Sequence, residues 1–180
     1  MTLYFITGNT GKFAEVQALV PEIERLDLDL AEIQDFDARR IVAAKLAEAR
    51  RHQDGAFLVE DTSLYLDALN GLPGPFIKCF LERLGDAGIA RLASTLGNDR
   101  AVARTVLGYA APDGQVAIFE GAVAGKIVAP QGDRGFGWDK IFVPDGAEAS
   151  FGQMEPELKQ AYSMRRLAVE RFLSFFGARA

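Results

Sequence analysis

MTLYFITGNTGKF, from Met1 to Phe13, opens the chain with an apolar run, a glycine-bracketed turn and a lysine, and a helical pattern follows. Many nucleotide-binding proteins begin this way. The spacing excludes a Walker A loop, which needs four residues between its first glycine and Gly-Lys, then Ser or Thr for magnesium. Here only Asn9 and Thr10 separate Gly8 from Gly11, and Phe13 follows Lys12. The Gly-x-Gly-x-x-Gly spacing of dinucleotide folds is absent too. The segment still has the parts of an anion site. A strand ending at Thr7 and turning into a helix presents backbone N–H groups at the positive helix end. Its glycines allow close approach, Asn9 and Thr10 add donors or a cap, and Lys12 adds a point charge. An ordinary strand–turn–helix cap with a surface lysine is the competing reading.

The chain has 180 residues, enough for one domain with a sizeable core, and 1–180 reads as a single domain. Hydrophobic residues make up 49% and charged residues 25%, an ordinary globular balance. A net charge of −5 argues against a general nucleic-acid binder, though not against a phosphorylated small molecule held by local cations. The single cysteine, Cys79, allows no intramolecular disulfide or cysteine-based zinc site, and its apolar neighbours place it in the core. His52, the only histidine, follows two arginines and reads as a surface residue. The opening apolar run is too short for a membrane span or a signal peptide, so a cytoplasmic protein without membrane or nucleic-acid partners is expected.

Periodicity predicts strands over 3–7, 23–30 and 56–59, and helices over 12–20 and 39–53. Glu60, Asp61 and Thr62 then fall at the end of the third strand. A Gly/Pro loop over 69–75 leads into helices over 76–84 and 85–96. Long strands over 100–111 and 115–129 are joined at Pro112-Asp113-Gly114, a turn signal. The GFGWD segment, 135–139, reads as a loop, 141–143 as extended, and 159–176 as one long closing helix. The sum is an α/β domain with a mixed sheet, flanking helices and a long hairpin, not an all-parallel doubly wound fold.

Asp61 is the leading carboxylate for metal binding or water activation, because it follows a rigid apolar strand. In a regular strand its neighbour Glu60 points the other way. Glu32 offers a second ligand. Lys45 shares a helix face with Val42 and Ala49, so its ammonium points inward. Phe136 and Trp138 are flat rings suited to base stacking, with Gly137 between them and Asp139 beside them. An aromatic plug anchoring the loop is the alternative. Lys159 and Arg165 fall on the last helix, where a solvated charged face is the default.

Taken in order, TGNTGK, AEIQ, KLAEA, VEDTSL, LPGPFIK, FGWD and SMR resemble the motifs of the inosine/xanthosine triphosphate pyrophosphatase family across nearly the whole chain. The resemblance implies an elongated α/β fold with two lobes around a central cleft, and a homodimer. It implies Mg2+-dependent hydrolysis of ITP, dITP and XTP to the monophosphate and pyrophosphate. Carried over position by position, Thr7, Gly8, Asn9, Thr10, Gly11 and Lys12 would grip phosphates together with Lys45. Asp61 would bind magnesium and activate the attacking water, Thr62 would touch the substrate, and Glu32 would be the second metal ligand. Phe136, Gly137, Trp138 and Asp139 would hold the base, with Lys159, Met164 and Arg165 completing the substrate site.

Three positions depart from the family pattern. Met164 replaces a histidine that helps recognise the base, Lys140 stands where proline is usual, and the segment between Glu32 and Lys45 carries one extra residue. Met164 cannot donate a hydrogen bond, so weakened discrimination between bases is expected if it faces the ligand. The alternatives are a non-catalytic nucleotide-binding regulator and a pyrophosphatase of broadened specificity.

Overall fold

The computed structural model describes residues 2–52 and 54–177. Gln53, the last residue of the helix expected over 39–53, lies outside the described residues. Strands β1 (Leu3–Ile6), β2 (Glu24–Leu26), β3 (Ala56–Leu66), β4 (Pro73–Gly74), β5 (Arg100–Ala110), β6 (Val116–Ile127) and β7 (Phe142–Pro144) form one seven-stranded sheet. Its order is β2-β1-β3-β5-β6-β7, with β4 paired to β3. β1 runs parallel to β2 and β3, opposing Tyr4 to Glu24 and Leu3 to Ala56. β4 is antiparallel to β3 and β7 antiparallel to β6, so the sheet is mixed. β5 and β6 form the expected hairpin, closed by Ala111 N–H on the Gln115 carbonyl and Gly114 N–H on the Ala111 carbonyl.

The helices are α1 (Thr10–Gln17), α2 (Ala38–His52), α3 (Ile77–Thr95), α4 (Pro156–Ala161) and α5 (Met164–Gly177). Inside α3, Gly85 takes φ 67° and ψ 172°, a non-helical conformation open to glycine. The two helices expected on either side of that residue are therefore separated by a kink.

The chain divides into two compact units. Unit 1 holds the residues up to Thr62, Thr105–Gly121, and those from Arg165 onward; unit 2 holds Ser63–Arg104 and Ala122–Met164. In unit 1, strand alternation sorts the core into two layers. Phe5, Ala56, Leu58, Leu107 and Tyr109 pack with Val16 of α1 and Ala168, Val169 and Phe172 of α5. Ile6, Phe57, Val59, Val106 and Ala110 pack with Val42, Leu46 and Ala49 of α2. Unit 2 has one apolar cluster, in which Leu64, Leu66, Ala101 and Ala103 meet Ile77 and Ile89 of α3 and the rings of Trp138, Phe142 and Phe151.

Four expectations are corrected. β3 does not stop at Val59 but continues to Leu66, so Glu60, Asp61 and Thr62 lie mid-strand. The closing helix is two helices: α4 ends at Ala161, the following Tyr162 leaves the helical region at φ −108° and ψ 5°, and α5 starts at Met164. Pro156, at the start of α4, and Ser163 were the available signals, being residue types favoured at helix starts. The strand expected over 23–30 shortens to Glu24–Leu26. Cys79 is exposed, because the buried face of α3 follows Ile77, Ile89, Ala90 and Ala93 and leaves position 79 on the other side. His52 is on the surface as expected, beside Glu48.

Helix α2 approaches the sheet closely at Gly108. A Cβ built there would lie 2.4 Å from Val42 Cγ1 and 2.9 Å from Leu46 Cδ1. Gly108→Ala should therefore destabilise the protein by about 1–3 kcal/mol through overpacking. The denaturation midpoint measures this, and an unchanged midpoint would show that α2 can retreat without cost.

Candidate functional site

The opening turn is built by its own side chains. Thr7 Oγ1 accepts from Asn9 N–H at 3.1 Å, and Asn9 Oδ1 accepts from Lys12 N–H at 2.9 Å, capping α1. Thr10 and Gly11 form the first turn of that helix. The cap aims the positive end of α1 and sets Lys12 one turn in, where its ammonium lies 2.9 Å from Glu60 Oε1.

Glu60 is the hub of unit 1. Alternation turns it to the α1/α5 face, where Arg165 grips it with both ends of the guanidinium: Nε donates to Oε2 at 2.7 Å and Nη2 to Oε1 at 3.0 Å. Thr62, two residues along and on the same face, donates to Glu60 Oε1 at 3.0 Å, accepts from Arg165 Nη2 at 3.1 Å and meets the Thr105 hydroxyl at 3.0 Å. Arg165 Nη1 is also ion-paired with Glu15 of α1. Burial works to raise the Glu60 pKa, but the charges of Arg165 and Lys12 and their hydrogen bonds outweigh it and hold the carboxyl well below its usual range. Burial likewise opposes the charge of Arg165, and Glu60 and Glu15 more than restore it, raising its pKa.

Asp61 is half-buried, and regular alternation carries it to the other face, that of α2. Lys45 of α2 points inward as expected. Its Nζ donates to the Glu60 backbone carbonyl at 3.1 Å and lies 2.6 Å from Glu32 Oε1. Unit 1 thus brings together the turn, Lys12, Lys45, Glu32, Asp61, Thr62 and Arg165. Among the described residues no three His, Cys, Asp or Glu side chains gather into a metal cage. A hard divalent ion that takes one or two carboxylates and completes its shell with water and phosphate oxygens suits such a donor set.

Unit 2 holds the remaining candidates. Asp139 Oδ2 accepts from Phe136 N–H and from Lys159 Nζ, both at 2.7 Å. The ammonium lies 4.6 Å from the centroid of Phe136 and 5.5 Å from that of Phe151. Gly135, at φ 74°, leaves room for this carboxylate, which a Cβ would meet at 2.1 Å. Gly137 is exposed, and Phe136 is half-buried. Trp138 instead plugs the core, 5.4 Å from Phe142 and 6.3 Å from Phe151. Met164 is 2% exposed within the same apolar cluster. Its thioether therefore packs among core side chains, at a position the resemblance assigns to the substrate site.

Sequence reasoning missed Glu60 and Glu15. Glu15 stands one helical turn after Lys12, and Glu60 is two residues before Thr62, so both share a face with a residue already singled out. Their partner Arg165 is 105 residues from Glu60, beyond any local pattern.

The charges of Arg165 and Lys12 hold the Glu60 carboxyl below the ordinary glutamate value near 4.5, so its stabilisation is complete above about pH 4.5 and fades as pH falls below it. Glu60→Gln should cost about 3–5 kcal/mol at pH 7, because Arg165 loses its bidentate partner. The gap between the variant and the parent should narrow progressively below pH 4.5. Urea denaturation across that range measures it, and a gap independent of pH would refute the assignment.

Comparison with known proteins follows the same path along the chain. Residues 3–175 match the model of the Ham1 family. The chain is 35% identical to the dITP/XTP pyrophosphatase of Methanopyrus kandleri, covering 98% of this chain and 96% of that protein. It is 41% identical to inosine triphosphate pyrophosphatase 1 of Trypanosoma cruzi, covering 95% and 90%. The fold superposes on the Staphylococcus aureus Ham1 protein with a TM-score of 0.83 at 25% identity, covering 99% of this chain and 100% of that one. A nucleoside-triphosphatase/dITP/XTP pyrophosphatase from Mycobacterium abscessus gives 0.73 at 26%, covering 96% and 99%. With its strand order, its lysine-bearing turn and its mid-strand acidic pair all inside the matched span, this chain belongs to the Ham1 family.

Proposed function

We propose that this protein hydrolyses non-canonical purine nucleoside triphosphates, ITP, dITP and XTP, to the monophosphate and pyrophosphate, removing them from the nucleotide pool. The observation that carries the reading is that Lys12 and Lys45 both reach Glu60 of β3, the neighbour of Asp61, with Lys12 in the capped first turn of α1. Attack at the α-phosphorus expels pyrophosphate, so negative charge builds on the leaving group, where lysines and a helix end stabilise it. Relatives named for dITP, XTP or inosine triphosphate support the choice of substrate.

In this proposal Asp61 orients and deprotonates the attacking water. Asp61 and Glu32 would hold Mg2+, which when bound would supply further charge neutralisation at the phosphates. Lys12 and Lys45 grip the phosphates, and the turn from Thr7 to Gly11 offers its backbone donors. Arg165 positions Glu60 and, through it, Lys12. For the purine we propose the unit 2 loop: the ring of Phe136 offers an apolar face, and the Asp139–Lys159 pair offers fixed polar groups. A donor aimed at a 6-oxo group loses its partner when a 6-amino group takes that place, at a cost of about 1–3 kcal/mol. A pyrophosphatase of broadened specificity is the alternative, and the packing of Met164 in the apolar cluster of unit 2 gives it no added support. A homodimer and a cytoplasmic setting belong to the same proposal. Among the described residues no helix is long and apolar enough to cross a membrane.

Incubation with ITP and Mg2+ should release pyrophosphate and inosine monophosphate, with little turnover of ATP. Asp61→Asn should keep the fold and lower turnover at least about a hundredfold. Release of orthophosphate and a nucleoside diphosphate would point to a different hydrolase. No product at all would favour a nucleotide-binding regulator.

A further inference from the structure

Both phosphate-gripping lysines already hold a carboxylate, and the two carboxylates are held very differently. Glu60, partner of Lys12, has a side chain only 2% exposed and is pinned by Arg165 and Thr62. Glu32, partner of Lys45, lies outside the helices and strands in the stretch leading to α2, and its side chain is 49% exposed. Lys45 itself cannot follow it outward. Its side chain is 10% exposed, it rises from the middle of α2, and its ammonium is tied to the Glu60 carbonyl.

We infer that Glu32 is the displaceable counter-ion of Lys45, occupying the ammonium until a polyphosphate expels it, and thereby makes phosphate binding conditional on a divalent cation. A carboxylate and a phosphate oxygen at one ammonium repel each other, and partial burial of the site strengthens that repulsion. Lys45 is anchored, so the carboxylate must move. Displaced from the lysine, Glu32 is a carboxylate beside a polyanion, and a divalent cation that binds both relieves the conflict. Without the cation, the phosphate must compete with Glu32 for Lys45. With it, the carboxylate gains a partner when it leaves. The inference rests on reading Lys45 as a phosphate-gripping residue, and it gives Glu32 a role in the metal-free protein.

Calorimetric binding of inorganic pyrophosphate, in EDTA and in Mg2+, tests it on the full chain. In EDTA, Glu32→Gln should tighten pyrophosphate about fivefold, the upper worth of a partly exposed ion pair. Glu32→Asp keeps the charge but is one methylene short of Lys45, and should tighten binding about twofold. In Mg2+ both gains should shrink, because the parent protein no longer suffers the competition. Tightening by Glu32→Gln alone would reduce Glu32 to a through-space charge and overturn the inference. So would parental affinity in both variants while the parent binds pyrophosphate in Mg2+. A parent that binds no pyrophosphate in either condition would instead remove the phosphate-site reading beneath it.

Discussion

The Glu60 carboxylate sits in the middle of an eleven-residue strand, almost wholly removed from water, with its charge intact. A buried ion in that position is tolerated only with well-aligned partners, since losing one costs about 3–5 kcal/mol. Unit 1 supplies Arg165 from α5 and Lys12 from α1, and Glu15 of α1 takes the remaining side of the arginine. Three elements far apart in the chain are thereby tied to one side chain. A hydrophobic residue at position 60 would pack α1 and α5 without fixing where Lys12 points. The ion pair adds that direction, because a guanidinium fork accepts a carboxylate in few geometries.

This hub also explains which parts of the molecule were legible in its sequence. The apolar run from Ala56 to Val59, the spacing of Val42, Leu46 and Ala49, and the turn at Asp113-Gly114 are local patterns, and they located β3, α2 and the hairpin. The inward course of Lys45 followed from the same helical spacing. What failed was nonlocal. A strand reading stops at Glu60 because a charge there looks solvated, and only Arg165, more than a hundred residues away, shows that it is not. The resemblance places Met164 and Trp138 in a substrate site, while an aromatic plug is the other reading of Trp138. The core of unit 2 claims both side chains, and the motif spacing carries no information about that packing.

Unit 2 repeats the same device with different parts. Asp139 and Lys159 form a buried pair, and the aspartate also fixes the Phe136 backbone while the ammonium lies against two rings. An exposed glycine-rich loop would sample many conformations. Here one carboxylate ties the loop to α4, and Gly135 provides the space it needs. These contacts fix the loop's shape, and on the proposed function that would reduce the ordering entropy lost when a purine binds.

The wider consequence concerns how an acidic protein manages a polyanionic ligand. With a net charge of −5, the long-range field opposes a triphosphate, so attraction must come from cations close at hand. Unpaired lysines gathered in one place would repel one another and destabilise the fold. In unit 1, Lys12, Lys45 and Arg165 are each matched to a carboxylate. On the proposed function, phosphate binding would be an exchange of partners, and its selectivity would depend on which carboxylates can leave. Glu60 is pinned by Arg165 and Thr62 while the Glu32 side chain is half exposed, so the grip at Lys12 would be set by the fold and the grip at Lys45 by whatever takes the carboxylate away.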